Sequence, residues 1–152
     1  MALDNMEGNS LPAGLTPEEF QSLKSQALEA RKLSYSPYSK FPVGCCLMTK
    51  SKDCFLGANV ENVSTPGGIC AERTAIVKAV TSGHLSDWLC IAISAESLET
   101  CITPCGICRQ TIREFADPQL PVVMLNGDGS KCIIRTLQEL LPLSFGPTPG
   151  TF

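Results

Sequence analysis

Histidine is almost absent from this 152-residue chain: His84 is the only one, and it follows a Ser82-Gly83 helix stop, where a capping or surface role fits better than metal ligation. Aromatic residues make up 6% and charged residues 18% of the chain, so neither an aromatic, basic groove for polynucleotides nor a highly charged disordered composition is present. The net charge of −3 and pI near 5.1 argue against a phosphate-backbone partner and suit a small uncharged ligand. No apolar run approaches the length of a membrane span, and no repeat or extended low-complexity block interrupts the pattern. Residues 1–15 have no basic start followed by an apolar core, so no secretory signal is expected. A reducing, cytoplasmic setting, with the nucleus also open to it, is the expectation.

What the chain has in quantity is cysteine, nine in all. Six of them, Cys45, Cys46, Cys54, Cys90, Cys101 and Cys132, fall mostly in strand patterns and read as small buried hydrophobes. The other three stand apart. Cys70-Ala71-Glu72-Arg73 and Pro104-Cys105-Gly106-Ile107-Cys108-Arg109-Gln110 both read as opening turns of helices. The two-residue gap between Cys105 and Cys108 lets two sulfurs on one turn reach the same cation, and Cys70 supplies a third from a distant element. Three protein ligands leave a corner for water, which a bound Zn²⁺ acidifies. Helix starts favour anions and lower thiol pKa values, and Arg73 and Arg109 are placed to donate hydrogen bonds to the sulfurs. Glu72 makes better sense as a proton carrier than as a fourth ligand, because ligation would fill the open corner. Taken singly, each stretch also fits a redox pair, a structural zinc site or a core cysteine. Together, Cys-x-Glu followed by Pro-Cys-x-x-Cys is the signature of zinc-dependent deaminases in its all-cysteine form.

Hydrophobic periodicity predicts the frame. Thr16-Pro17-Glu18-Glu19 opens a helix running to about Leu33, with Phe20, Leu23, Ala27, Ala30 and Leu28 inward and Lys24, Glu29 and Arg31 outward. Tyr35 to Pro42 is an extended aromatic loop, since two prolines oppose a helix. Strands are expected at Val43–Thr49, Cys54–Val60, Leu89–Ser94, Val122–Leu125 and Lys131–Ile134. Helices are expected from near Ile69 to Thr81, from Cys105 to Phe115, and from Thr136 to Leu140. The whole reads as an α/β protein, a three-layer α/β/α fold with a mixed sheet of about five strands, the first two antiparallel. Residues 1–14 and 148–152 are expected as flexible tails around one catalytic domain spanning 15–147.

Phe41-Pro42-Val43-Gly44, Asn59-Val60-Glu61-Asn62, Cys70-Ala71-Glu72-Arg73-Thr74-Ala75, Pro104 through Gln110 and Glu139-Leu140-Leu141-Pro142 occur in one order and spacing. In these the chain resembles the small, homotetrameric cytidine deaminases of nucleoside salvage, from about Leu15 to Pro147. That resemblance implies one zinc per subunit on Cys70, Cys105 and Cys108, with Glu72 moving protons while cytidine or deoxycytidine becomes uridine or deoxyuridine and ammonia. It further implies that the Ala71 N–H holds the pyrimidine carbonyl and that the Thr103 carbonyl, where relatives carry Ser, faces the leaving amine. Phe41 should lie against the base, Asn59 bond the base or sugar, and Glu61 accept from the ribose 3′-hydroxyl. Tyr38 and Phe145 match aromatic positions that reach pockets of neighbouring subunits. Thr65 and Gly67 depart from the Tyr and bulky apolar residue of many relatives, at a segment that builds the pocket rim. Two other readings compete: deamination of a different small aminopyrimidine, which would not need Glu61 if it lacked ribose, and a structural zinc module with four protein ligands.

Overall fold

A computed structural model describes residues 10–147. Of the tails expected at 1–14 and 148–152, residues 1–9 and 148–152 lie outside the described residues. Just inside the first of these, Pro12 is buried and Leu11 packs against the core, while the Gly14 carbonyl accepts from Lys52 Nζ.

Helix α1, Pro17–Ala30, starts where expected: the Thr16 hydroxyl accepts from the Glu19 N–H (3.1 Å) and the Glu19 carboxylate accepts from the Thr16 N–H (2.9 Å). A 3-10 turn at Arg31–Leu33 carries it to its expected end. Lys24 corrects the outward assignment. It is buried, with Nζ 5.4 Å from the Phe20 ring centroid, because position 24 belongs to the same helical stripe as 20, 23 and 27 and a lysine stem can cover apolar surface.

Strands β1 (Val43–Thr49) and β2 (Cys54–Ala58) form an antiparallel hairpin. Helix α2 is Ala71–Thr81, β3 is Trp88–Ala95, α3 is Gly106–Phe115, β4 is Pro121–Leu125, β5 is Cys132–Thr136 and α4 is Leu137–Leu140. The sheet order is β2-β1-β3-β4-β5. Only β3 and β4 run parallel; β1–β3 and β4–β5 pair antiparallel. β2 ends two residues earlier than expected, since Val60 leaves the ladder to bridge Tyr35 on one side and Ile69 on the other. β5 slides to Cys132–Thr136, which lets Thr136 both end the strand and cap α4.

Alternation along the central strands builds two cores. Cys45, Leu47, Ile91, Ile93, Val122 and Met124 face α2, α3 and α4, while Cys46, Met48, Cys90, Ala92, Val123 and Leu125 face α1. Strands covered on both faces read as continuous apolar runs, as these do. The resulting three layers match the expected α/β/α arrangement, with α2 and α3 in contact on one side. His84 has the expected capping role: its N–H donates to the Ala79 carbonyl and that of Gly83, at φ 93°, to the Val80 carbonyl, closing the end of α2.

Candidate active site

Cys70 and Cys105 are the residues from which α2 and α3 spring, each with extended backbone and neither side chain accepting a capping hydrogen bond. Cys108 lies one turn into α3 and is buried. Contact between the two helices brings all three Sγ atoms within 4.8 Å of one another, with Cys70 and Cys105 3.9 Å apart. Zn–S bonds of about 2.3 Å at tetrahedral angles set sulfurs about 3.8 Å apart, a spacing the Cys70–Cys105 pair already has, so the cluster suits a zinc ion. Three soft donors at two helix N-termini suit that metal better than a hard, oxygen-seeking cation.

The sulfurs act on one another. Contact with Cys108 is the first cause holding the Cys70 thiol down to about 5; part-burial opposes it, and hydrogen bonds from Arg73 and Cys105 support it. Seen from Cys108, the same contact, together with burial, pushes that thiol far up, so the two sulfurs titrate as a pair. Arg73 Nη2 lies 3.5 Å from Cys70 Sγ, as the sequence led one to expect, and its Nε is buried without a hydrogen-bond partner. Arg109 corrects the parallel expectation. Its Nε donates to the Pro104 carbonyl (2.7 Å) and its Nη1 to the Leu140 carbonyl (2.7 Å), so it braces the peptide before Cys105 and the orphan carbonyl at the end of α4.

Glu72 is 4% exposed and sits in the first turn of α2 between the thiols and the core. Burial is the main reason its carboxyl is raised to about 7. The Cys70 charge adds to this, while its own backbone N–H, Cys108 and Arg73 pull the other way. A carboxyl poised near neutrality can accept and return a proton. Cys45, on β1, is a fully buried neighbour whose thiol is pushed up by burial and then by the charge of Glu72. Sequence reading left it as core, since an alternating strand pattern carries no signal for which core residue lies under a carboxylate.

The other expected site residues differ in how they are engaged. Ala71 is fully buried and opens α2, whereas Thr103 is exposed ahead of buried Pro104. Asn59 ties the aromatic loop together: its Oδ1 accepts from the Val43 N–H (2.8 Å) and Ser34 Oγ (2.6 Å), and its Nδ2 donates to the Phe41 carbonyl (3.0 Å). Both Oδ1 lone pairs are thereby used, so toward a ligand Asn59 offers its second Nδ2 hydrogen. The Glu61 carboxylate accepts from the N–H groups of Tyr38 (2.8 Å) and Ser39 (3.2 Å). The hydroxyl of Ser39 first, and these amides next, hold its pKa below the ordinary carboxylate value. Ser34 and Ser39, which sequence reading passed over, are part of this loop wiring; serines near prolines signal a turn and no more. Phe41, Tyr38 and Phe145 are 38%, 59% and 82% exposed. The Phe145 carbonyl accepts from Gln110 of α3 (3.1 Å), which holds the end of the described chain beside the second thiol helix. Thr65 and Gly67 form an exposed 3-10 turn.

A raised carboxyl next to a place where water would be acidified is equipment for metal-assisted hydrolysis, and its setting in Cys-x-Glu followed by Pro-Cys-x-x-Cys puts this chain with the hydrolytic deaminases. The cytidine and deoxycytidylate deaminase zinc-binding region matches residues 17–124. A cytidine deaminase of Sporosarcina psychrophila is 39% identical over 129 residues, spanning 84% of this chain and 91% of that protein. A probable cytidine deaminase of Dictyostelium discoideum is 40% identical over 128 residues, 84% of each. The crystal structure of a cytidine deaminase from Burkholderia pseudomallei superposes with a TM-score of 0.80 at 38% identity, covering 86% of this chain and all of that one. The chain belongs to the cytidine and deoxycytidylate deaminase family and is an enzyme of the hydrolase class.

Proposed function

We propose that the chain converts cytidine and deoxycytidine, with water, to uridine and deoxyuridine and ammonia, holding one Zn²⁺ on Cys70, Cys105 and Cys108. The observation that carries this reading is the buried, raised carboxyl of Glu72 beside three converging thiols. Bound zinc supplies the Lewis acidity that brings water near deprotonation at neutral pH. Glu72 takes one proton of the attacking water and passes it to ring N3, then takes the other from the hydroxyl now on C4 and gives it to the amino group, which leaves as ammonia while the C4 carbonyl forms. Ala71 offers a helix-start N–H to the pyrimidine carbonyl, and the Thr103 carbonyl accepts from the leaving amine. Arg73 offsets the electron density that three thiolates bring. Glu61 accepts from the ribose 3′-hydroxyl with lone pairs beyond those that take the Tyr38 and Ser39 amides, and Asn59 lends its second Nδ2 hydrogen to the nucleoside. Phe41 packs against the base.

Exposed Tyr38 and Phe145 beside the site support pockets completed by neighbouring copies in a homotetramer. A chain with nine cysteines and no secretory signal pattern supports a reducing cytoplasm and, with the nucleoside substrate, a place in pyrimidine salvage. Incubation of pure protein with cytidine should give uridine and ammonia in equal amounts. Glu72→Gln should lower kcat about 10²–10⁴-fold while leaving zinc bound. Loss of the metal along with activity would make Glu72 a structural group and overturn the assignment.

A further inference from the structure

The first turn of α2 lies against the backbone of β2 at Gly57. A methyl group there would overlap the Ala71 carbonyl oxygen and the Ala75 amide nitrogen and come within 3.0 Å of the Ala75 Cα. Ala71 O and Ala75 N stand four residues apart in α2, so the methyl would fall on the i→i+4 hydrogen bond of its opening turn. All three colliding atoms are backbone, which no side-chain rotation can move aside. Gly57 pairs directly with Cys45, the buried neighbour of Glu72, so both face the site side of the sheet. Lower on the same helix, Lys78 Nζ donates to the Leu56 carbonyl (2.6 Å) and pins α2 to the same strand.

We infer that Gly57 is a positioning residue for the reaction: its missing side chain seats the turn that carries Cys70, Ala71 and Glu72 at the depth where Cys70 meets Cys105 and Cys108. Relief of the clash would move that turn by on the order of 1 Å, and displacements of that size at a reacting centre cost about 10²-fold in rate. The inference rests on the deaminase reading for its kinetic arm only. Gly44, diagonal to Gly57 on β1, is the internal control. A methyl there meets the Ala27 carbonyl oxygen and, at 2.5 Å, the Arg31 nitrogen, backbone of α1 on the opposite face.

The test compares Gly57→Ala with Gly44→Ala in the full-length chain by thermal unfolding, Zn²⁺ affinity against a chromophoric chelator, and kcat and KM for cytidine. Both variants should lose thermal stability. Gly57→Ala alone should weaken Zn²⁺ binding about 10–100-fold and lower kcat about 10²-fold, with KM changing far less. Equal losses of zinc affinity in the two variants, or wild-type affinity and kcat in Gly57→Ala, would overturn the inference. Should Gly57→Ala fail to fold, Ala75→Ser, which adds one atom at the fully buried residue whose backbone Gly57 touches, decides with the same readouts: several-fold losses of both quantities support it, and none overturns it. If the wild-type chain binds Zn²⁺ but leaves cytidine unchanged, the substrate reading fails and the zinc-affinity arm still settles the role of Gly57.

Discussion

Helices α1 and α4 begin on threonines, Thr16 and Thr136, whose hydroxyls accept from the amide three residues on while a glutamate folds back to the cap. Helices α2 and α3 begin on Cys70 and Cys105, and neither side chain caps anything. A helix start leaves amide groups without intrahelical partners, and closing them stabilises the fold. The two capped starts spend that opportunity on stability. The two cysteine starts keep their amides and dipoles directed at the place where sulfur charge gathers, and they depend on tertiary packing to stay wound. In this protein local stability and chemistry thus occupy different helix ends.

Breaking the comparison at the cysteine starts should have the largest effect. Cys70→Ala and Cys105→Ala each remove a donor from a three-thiol cluster, and metal analysis with a turnover assay should find both zinc and activity lost. A smaller effect should come from Arg73→Ala, whose guanidinium touches Cys70: zinc affinity should fall about 10–100-fold by chelator competition. Arg109→Ala, which loses two carbonyl contacts instead, should lower the unfolding temperature more than it alters zinc affinity. At the capped starts, Thr16→Ala should cost about 1 kcal/mol, a few degrees in Tm for a chain of this size, with kcat unchanged.

The smallest effect should appear on acidification. Backbone hydrogen bonds from Thr16 and Thr136 are the first causes that lower the pKa of Glu19 and Glu139 below 4.5. A depressed carboxylate contributes stability that is fully present above its unfolded pKa and is lost as pH falls through the folded value. Unfolding followed from roughly pH 5 down to pH 3 should therefore steepen in the wild type, and the slope should be shallower in Glu19→Gln.

Much of this arrangement is legible along the chain. Thr-Pro-Glu-Glu at 16–19 and the Thr136/Glu139 pair announce capped starts because a capping box is a local, four-residue device. Cys70, Glu72, Cys105 and Cys108 announce a site because their spacing on a helical turn is set by the backbone. The burial of Lys24 is legible only from its place in the helical stripe, against which its charge argues. The partners of Arg109 were missed because a long side chain chooses among acceptors that only folding brings near; the carbonyl of Leu140 is thirty-one residues away. The bonds of Asn59 to Ser34, Phe41 and Val43 are hidden for the same reason, and they leave its second Nδ2 hydrogen for a ligand.

By itself the sequence determined the order of strands and helices, which helix ends are capped, and which donor atoms a metal would meet, since all of these follow from periodicities and spacings within a few residues. Only the tertiary structure decided that sulfurs thirty-five residues apart stand 3.9 Å from each other, that Glu72 is stripped of water, and that α2 rests on a bare glycine. Those depend on how closely a helix approaches a sheet, and such distances are set by packing between segments that the chain itself keeps far apart.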